Sequence, residues 1–383
     1  MASKLGSNLI RNVFSQIHKR FLQSSATLSS TPSVPDIRTS SSSSSFTVQF
    51  LVDSCGLPLK SALSVSDRFQ LDETNPQKPH SVIQLLKSHR FSDTQVAKLI
   101  VKYPKILRFK VKNNLQPKLE YFVQNGLAGE LLAQFIASNP SAIGRSLDSQ
   151  IKPCFEFLRS FLNSNEKMAT VIIRSPWFLQ LNLNGIMRPN VDFLMKEGVP
   201  SHGIEKIILF GRVLTQNPKT MVYAVNAVKN LGLEPNAPMF VYALRVMISM
   251  SASTWEKKIG FMKSMGWKEE DILMAFNRHP YCLAFSEAKI SNAMHFYLNT
   301  MKLEPKTLVA NPILLGLSIE KRIRPRYNVL NVLESKKLIK SNIRSLLISE
   351  KDFQKKYVDQ YIPKVPGLLE MYLGSKESKN IDP

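Results

Sequence analysis

The side chains of this 383-residue chain that can do chemistry are its cations, and they fall in register. Lys102, Arg174 and Arg278 each stand two residues before a proline (Pro104, Pro176, Pro280). Lys152, Arg188 and Arg324 each stand one residue before another (Pro153, Pro189, Pro325), and Lys118 and Arg326 stand one residue after Pro117 and Pro325. Ammonium and guanidinium groups donate to phosphate oxygens, Arg as a two-pronged fork. Cations repeated at one position of a repeated unit make a ladder that a polyanion can follow. Two blocks thicken it. Residues 98–118 hold seven basic residues (Lys98, Lys102, Lys105, Arg108, Lys110, Lys112, Lys118) and no acidic one. Residues 321–344 hold eight (Lys321, Arg322, Arg324, Arg326, Lys336, Lys337, Lys340, Arg344) against Glu334 alone. The candidate phosphate-binding set is Lys102, Lys105, Arg108, Lys112, Lys118, Lys152, Arg174, Arg188, Arg278, Arg322, Arg324 and Arg326.

The composition agrees. Lys and Arg number 51 against 29 Asp and Glu, a net charge of +22, and the pI is near 9.9. Such an excess attracts a polyanion, nucleic acid or an anionic membrane surface; a general basic bias of organellar proteins is the plainer alternative. Mean hydropathy is −0.11 and no apolar run reaches the ~18 residues that cross a bilayer, so no membrane span is expected.

Catalytic and metal-binding patterns are missing. The sequence has no Gly-rich phosphate loop, no GxSxG and no paired-carboxylate motif. Its six histidines have no metal-ligand spacing, and Cys55, Cys154 and Cys282 are far apart without a CxxC. The expectation is therefore no enzyme, no cofactor and no metal, with the cysteines as core residues. Aromatics such as Phe122, Phe157, Phe193, Phe261 and Phe296 recur at matching places and read as core; Tyr103, Trp177 and Tyr281, beside prolines, are the ones able to meet a base.

The elements that must position the cations are written in prolines. Pro104 and Pro117, Pro140 and Pro153, Pro176 and Pro189, and Pro312 and Pro325 are four pairs 13 residues apart. An apolar run follows each second proline, as Leu119, Tyr121 and Phe122 follow Pro117, and two such runs close at Gly126 and Gly198. The first proline ends one helix, well marked at Ser92–Tyr103 by a capping box, Ser92 with Gln95. The second proline is expected at the first position of the next helix, and the glycine closes it. Second-helix marks near 117, 153, 189, 223, 257, 289 and 325 give a period of 32–36 residues. In the fourth copy the helix is expected from Val222 to Leu231 without a starting proline. A tandem array of about seven units of two to three helices follows, an all-α superhelical solenoid of either hand.

Around the array, residues 1–35 carry Lys4, Arg11, Lys19 and Arg20, no Asp or Glu, and an apolar stripe Leu5, Leu9, Val13, Ile17, Phe21. That is the signature of an organellar import presequence. Residues 36–45 form a Ser-rich linker, 46–80 an N-terminal helical cap, 81–345 the array, 346–374 a C-terminal capping helix and 375–383 a loose tail. The mitochondrial matrix is the expected compartment, with the chloroplast stroma as alternative.

The pattern resembles the mitochondrial transcription termination factor (mTERF) family in its expanded land-plant form. The resemblance rests on the Pro-x-x-Leu units Pro104–Leu107, Pro176–Leu179, Pro280–Leu283 and Pro312–Leu315. It also rests on SVIQLLKSHRFSDTQVAKLIVKYPKIL at 81–107, FLVDSCGL at 50–57 and WEKKIGFMKSMGW at 255–267, and covers about residues 46–373. It implies a half-donut superhelix with a basic inner groove and nucleic-acid binding in an organelle. Members act in transcription termination or initiation, transcript maturation including intron splicing, or ribosome assembly. The expected function is transcription termination or initiation on double-stranded DNA, by a monomer working with organellar transcription or splicing proteins. The alternatives are an RNA-binding splicing or maturation factor and a helical scaffold for acidic proteins.

Overall fold

Each repeat follows from where its backbone can and cannot donate hydrogen bonds. In the computed structural model, which describes residues 41–377 (side chains from 45 to 374), the helix Asp93–Lys102 opens as expected. The Ser92 side chain accepts from the Gln95 N–H, and the Gln95 side chain accepts in return from the Ser92 N–H. Val96, Leu99 and Ile100 bury one face. Pro104 cannot continue the helix, so Tyr103 leaves it (φ −142°, ψ 66°) and Pro104–Arg108 winds into a short 3-10 turn. Asn139, Ser175, His279 and Asn311 repeat the same exit before Pro140, Pro176, Pro280 and Pro312.

The second proline behaves differently from the sequence expectation. The helical run does not begin at it. It begins six residues earlier, as a wide π turn at Val111–Leu115, Leu147–Ile151, Leu183–Met187 and Ile319–Ile323. Gln116, Lys152, Arg188 and Arg324 donate their N–H five residues back, to Val111, Leu147, Leu183 and Ile319. A proline inside a helix lacks an N–H and its ring presses on the carbonyl four residues before. Widening the preceding turn by one residue removes that collision. In the fourth copy the helix starts at Pro218, not Val222, because Pro218 occupies a first position and the Asn217 side chain accepts from the Lys219 N–H. Second helices close as read: after Gln116–Gln124, Gly126 takes φ +91° and the Leu127 N–H returns to Phe122 O at 2.9 Å.

The described chain folds as two compact units, one ending at Met221 and one beginning at Val222. In the first, Ser41–Asp53, Leu59–Ser66 and Gln77–Ser88 precede the first complete repeat. The helix Ser41–Asp53 begins inside the segment expected to be a linker. The core passes from repeat to repeat: Phe122 packs edge-on against Phe135 and also against Phe155, both at 5.9 Å. In the second unit, Phe240–Ser249, Glu269–Arg278 and Pro305–Ala310 are the first helices. Ala252–Ser264, Glu287–His295 and Arg324–Ser335 are the second helices, and Glu350–Phe353 and Leu368–Glu377 close the fold. Trp255 and Phe276 meet edge-on in its core at 5.3 Å. The described residues contain no strand. The expected presequence, the first part of the expected linker and residues 378–383 lie outside the described residues.

Candidate nucleic-acid interface

The repeat positions sort the candidate cations into three groups. The first ends the first helices. Lys102, Arg174 and Arg278 are the last residues of Asp93–Lys102, Asn165–Arg174 and Glu269–Arg278. The backbone leaves all three helices through nearly one geometry, φ −142°, −137° and −154° at the next residue. All three side chains are exposed, and none has an ion-pair partner among the described residues. A cation there also meets the negative end of its helix, a purely structural use. That use does not consume its outward-facing donors.

The second group precedes the second proline. The π turn places an acidic residue one turn before the cation. Lys152 Nζ bonds Asp148 at 2.6 Å, and its pKa is raised by that bond. Arg324 forks onto Glu320 at 2.8 and 3.1 Å and lies 4.7 Å from the Phe296 ring centre. Arg188 has no acid in that slot; it is exposed, with its guanidinium 5.7 Å from the Phe157 ring. Of the three, Arg188 has its charge least compensated.

The third group, after the second proline, points inward. Lys118 is 5% exposed, donates to Ile143 O at 3.0 Å and stands over the Phe109 ring. Burial pulls its pKa down. Arg326 is fully buried, bonds Leu346 O and Ile348 O at 2.9 and 2.7 Å and pairs with Glu350 at 2.9 Å. Cys154 and Asn190 hold the same slot and reach Phe178 O and Leu214 O. The slot is therefore a staple from one repeat to carbonyls in or just after the next 3-10 turn. Lys118 and Arg326 are occupied there and do not face a phosphate. Sequence reading missed the row because only two of its four members are charged. The usable signal was that each carries a hydrogen-bond donor.

The two basic blocks consequently differ. Lys102, Lys105, Lys110 and Lys112 are exposed and unpaired among the described residues. Lys110 also replaces the Ser or Asn whose side chain caps the equivalent helix start at Ser146, Asn182 and Ser318. The N–H groups beginning at Val111 therefore lack a side-chain acceptor and are flanked by two ammonium groups, a favourable setting for an anion. Arg108, although exposed, donates to Gln70 O and packs on Phe69. In the C-terminal block Arg322, Arg324 and Arg326 are spent on the fold, whereas Lys321, Lys336, Lys337, Lys340 and Arg344 are exposed and have no ion-pair partner among the described residues. Arg322 donates to Leu347 O and Ile348 O at 3.0 and 2.8 Å, and desolvation followed by neighbouring Arg326 lowers its pKa. One exposed cation escaped the sequence reading. Arg212 opens the 3-10 turn 36 residues after Pro176, in a slot elsewhere held by proline, and that spacing was the available signal.

Cys55, Cys154 and Cys282 are buried, and burial pushes each thiol up to about 12. Among the described residues no group of three or more His, Cys, Asp or Glu is placed to hold a metal, and no helix is long and apolar enough to cross a membrane.

The family model described as mTERF matches residues 70–354. The chain is 23% identical over 234 residues to "Transcription termination factor MTERF8, chloroplastic" of Arabidopsis thaliana, covering 60% of this chain and 46% of that protein. It is 20% identical over 326 residues to "Transcription termination factor MTERF15, mitochondrial" of the same plant, covering 85% of this chain and 63% of that protein. The chain thus spans about half to somewhat under two thirds of the length of these relatives. With the proline-marked repeats, the exits before each 3-10 turn and a family match over most of the described residues, this chain belongs to the mTERF family.

Proposed function

We propose that this protein binds nucleic acid inside an organelle and regulates gene expression there, through transcription termination or initiation on double-stranded mitochondrial DNA. One observation carries the reading. Lys102, Arg174 and Arg278 are exposed, uncompensated and set at one repeated backbone position, and Lys105, Lys110 and Lys112 widen the first of them into a patch. The printed names of both relatives support the task, and the acid-free stretch 1–35 supports import, with the mitochondrion ahead of the chloroplast. The protein acts as a monomer without cofactor, alongside organellar transcription or splicing proteins. RNA is the second reading. It is favoured by Tyr281, half-exposed beside exposed Arg278 and bonded through its hydroxyl to Arg245 at 3.1 Å, an arrangement suited to an unstacked base.

The test is a salt titration of binding to duplex DNA. Replacing Lys102, Lys105 and Arg174 by Ala is expected to weaken binding and to flatten the log–log salt slope by about 2 to 3, near one unit per phosphate contact. An unchanged affinity and slope sinks the assignment. Arg322 and Arg326 are unsuitable probes, because their loss would remove hydrogen bonds that hold the C-terminal segment before it reported on binding.

A further inference from the structure

The start of the described fold contradicts the charge of the rest. Between Phe46 and Pro76 the chain has four carboxylates (Asp53, Asp67, Asp72, Glu73) against two cations (Lys60, Arg68), in a protein of net charge +22. On this acidic cap the helices Ser41–Asp53 and Leu59–Ser66 enclose a groove of about 450 Å³. Val48, Val52, Leu59 and Leu63 supply its apolar lining, and Asp53 and Asp67 are among its polar residues. Leu59 and Leu63, one helical turn apart, are 61% and 49% exposed, the most exposed large apolar side chains among the described residues. Asp67 is exposed and pairs with no cation there, while Asp53 accepts only from Gln49 at 2.6 Å.

A nucleic acid gains nothing from two leucines and is repelled by the carboxylates. The groove therefore suits an occupant unlike that of the basic rows. We propose that it docks an amphipathic helix of a partner protein, with apolar residues at i, i+4 spacing and Lys or Arg on the flanks of that stripe. Apolar side chains of such a helix would cover Leu59 and Leu63 as the next helix of a helical array covers its neighbour. Its cations would meet Asp53 and Asp67, which select against neutral or acidic helices. None of the cations proposed to hold nucleic acid lines the groove.

The test uses the full chain and two fluorescent helical peptides, one of Leu and Lys with a single apolar stripe, the other identical with Glu for Lys. Anisotropy at physiological salt is expected to show binding of the Leu/Lys peptide alone. Leu63→Lys should weaken it about tenfold or more, the size of effect expected when a leucine can no longer be covered. Asp53→Asn with Asp67→Asn should weaken it several-fold, and Arg174→Ala should leave it unchanged. Circular dichroism checks that each variant is folded; at such exposed positions it should be. Equal binding of both peptides, or indifference to Leu63→Lys, overturns the proposal. So does a dimer in sedimentation that Leu59→Lys and Leu63→Lys together turn into monomer, which would assign the groove to a second copy.

Discussion

Lys105 and Lys118 carry the same charge and meet opposite fates. Lys105 lies on a 3-10 turn with its ammonium in water. Lys118 lies on a helix face that the next repeat covers, and its ammonium must find a carbonyl there. Replacing Lys118 by Met removes the donor and leaves Ile143 O without it, at an expected cost of about 2 kcal/mol in unfolding free energy. Lys105→Ala should stay within about 0.5 kcal/mol of wild type. The pH dependence has a definite sign. The folded-state pKa of Lys118 is below its ordinary 10.5 because burial penalises the charge. At pH values below the folded pKa the group is charged in both states and its desolvation cost is fully present. As pH rises from the folded pKa toward 10.5 the unfolded chain holds more protons, so this cost is relieved and stability gains. The stability difference between wild type and Lys118→Met should therefore move in favour of wild type across that window. Denaturant unfolding at several alkaline pH values checks it, and a flat difference rules out the desolvation account.

At the scale of the element, the joint between first helix and 3-10 turn is the most constrained part of the repeat. Most copies solve it with a residue near φ −140° followed by proline. The fourth uses Gly211 at φ +75° followed by Arg212. A Cβ added at Gly211 would stand 2.7 Å from Ser175 Oγ and 2.9 Å from Trp177 Cζ2, in the preceding repeat. Gly211→Ala therefore meets both backbone strain and a ring that cannot easily yield. A loss of about 2 kcal/mol or more in thermal or denaturant unfolding is expected, with increased amide exchange in Arg212–Thr215. Ala at Gly260, an exposed position inside the helix Ala252–Ser264 whose added Cβ meets nothing within 4 Å, is the control and should be neutral or stabilising by up to about 1 kcal/mol.

For the whole molecule, the charge of +22 supplies affinity for any long polyanion without telling one from another. Duplex DNA and structured RNA are accordingly expected to bind within about tenfold of each other at ~50 mM salt and to separate at ~200 mM, as the shared electrostatic part shrinks. Anisotropy titrations at the two salts measure this. A ratio that does not move with salt would place the discrimination within the phosphate contacts themselves. The acidic cap with its exposed leucines is the other large-scale feature, and it was not legible beforehand. Its residues are ordinary for a capping helix, and only the placement of two helices makes them a groove.

What the sequence by itself determined is the punctuation. Prolines 13 residues apart, Gly126 and Gly198, and the Ser92 capping box act through local backbone chemistry. Repeat number, helix order and family were therefore readable without coordinates. In the four copies with a second proline the start of the second helix was misread, because a proline one turn inside a helix looks, in sequence, like a proline at its first position. The π turn that separates the two cases is a hydrogen-bond choice made five residues upstream. Tertiary structure alone decided which cations are available. Lys118 and Arg326 match Arg174 and Arg278 in charge and in periodicity, but the neighbouring segment covers one pair and not the other. Burial is a property of what packs against a residue, and that partner lies 20 or more residues away in the chain.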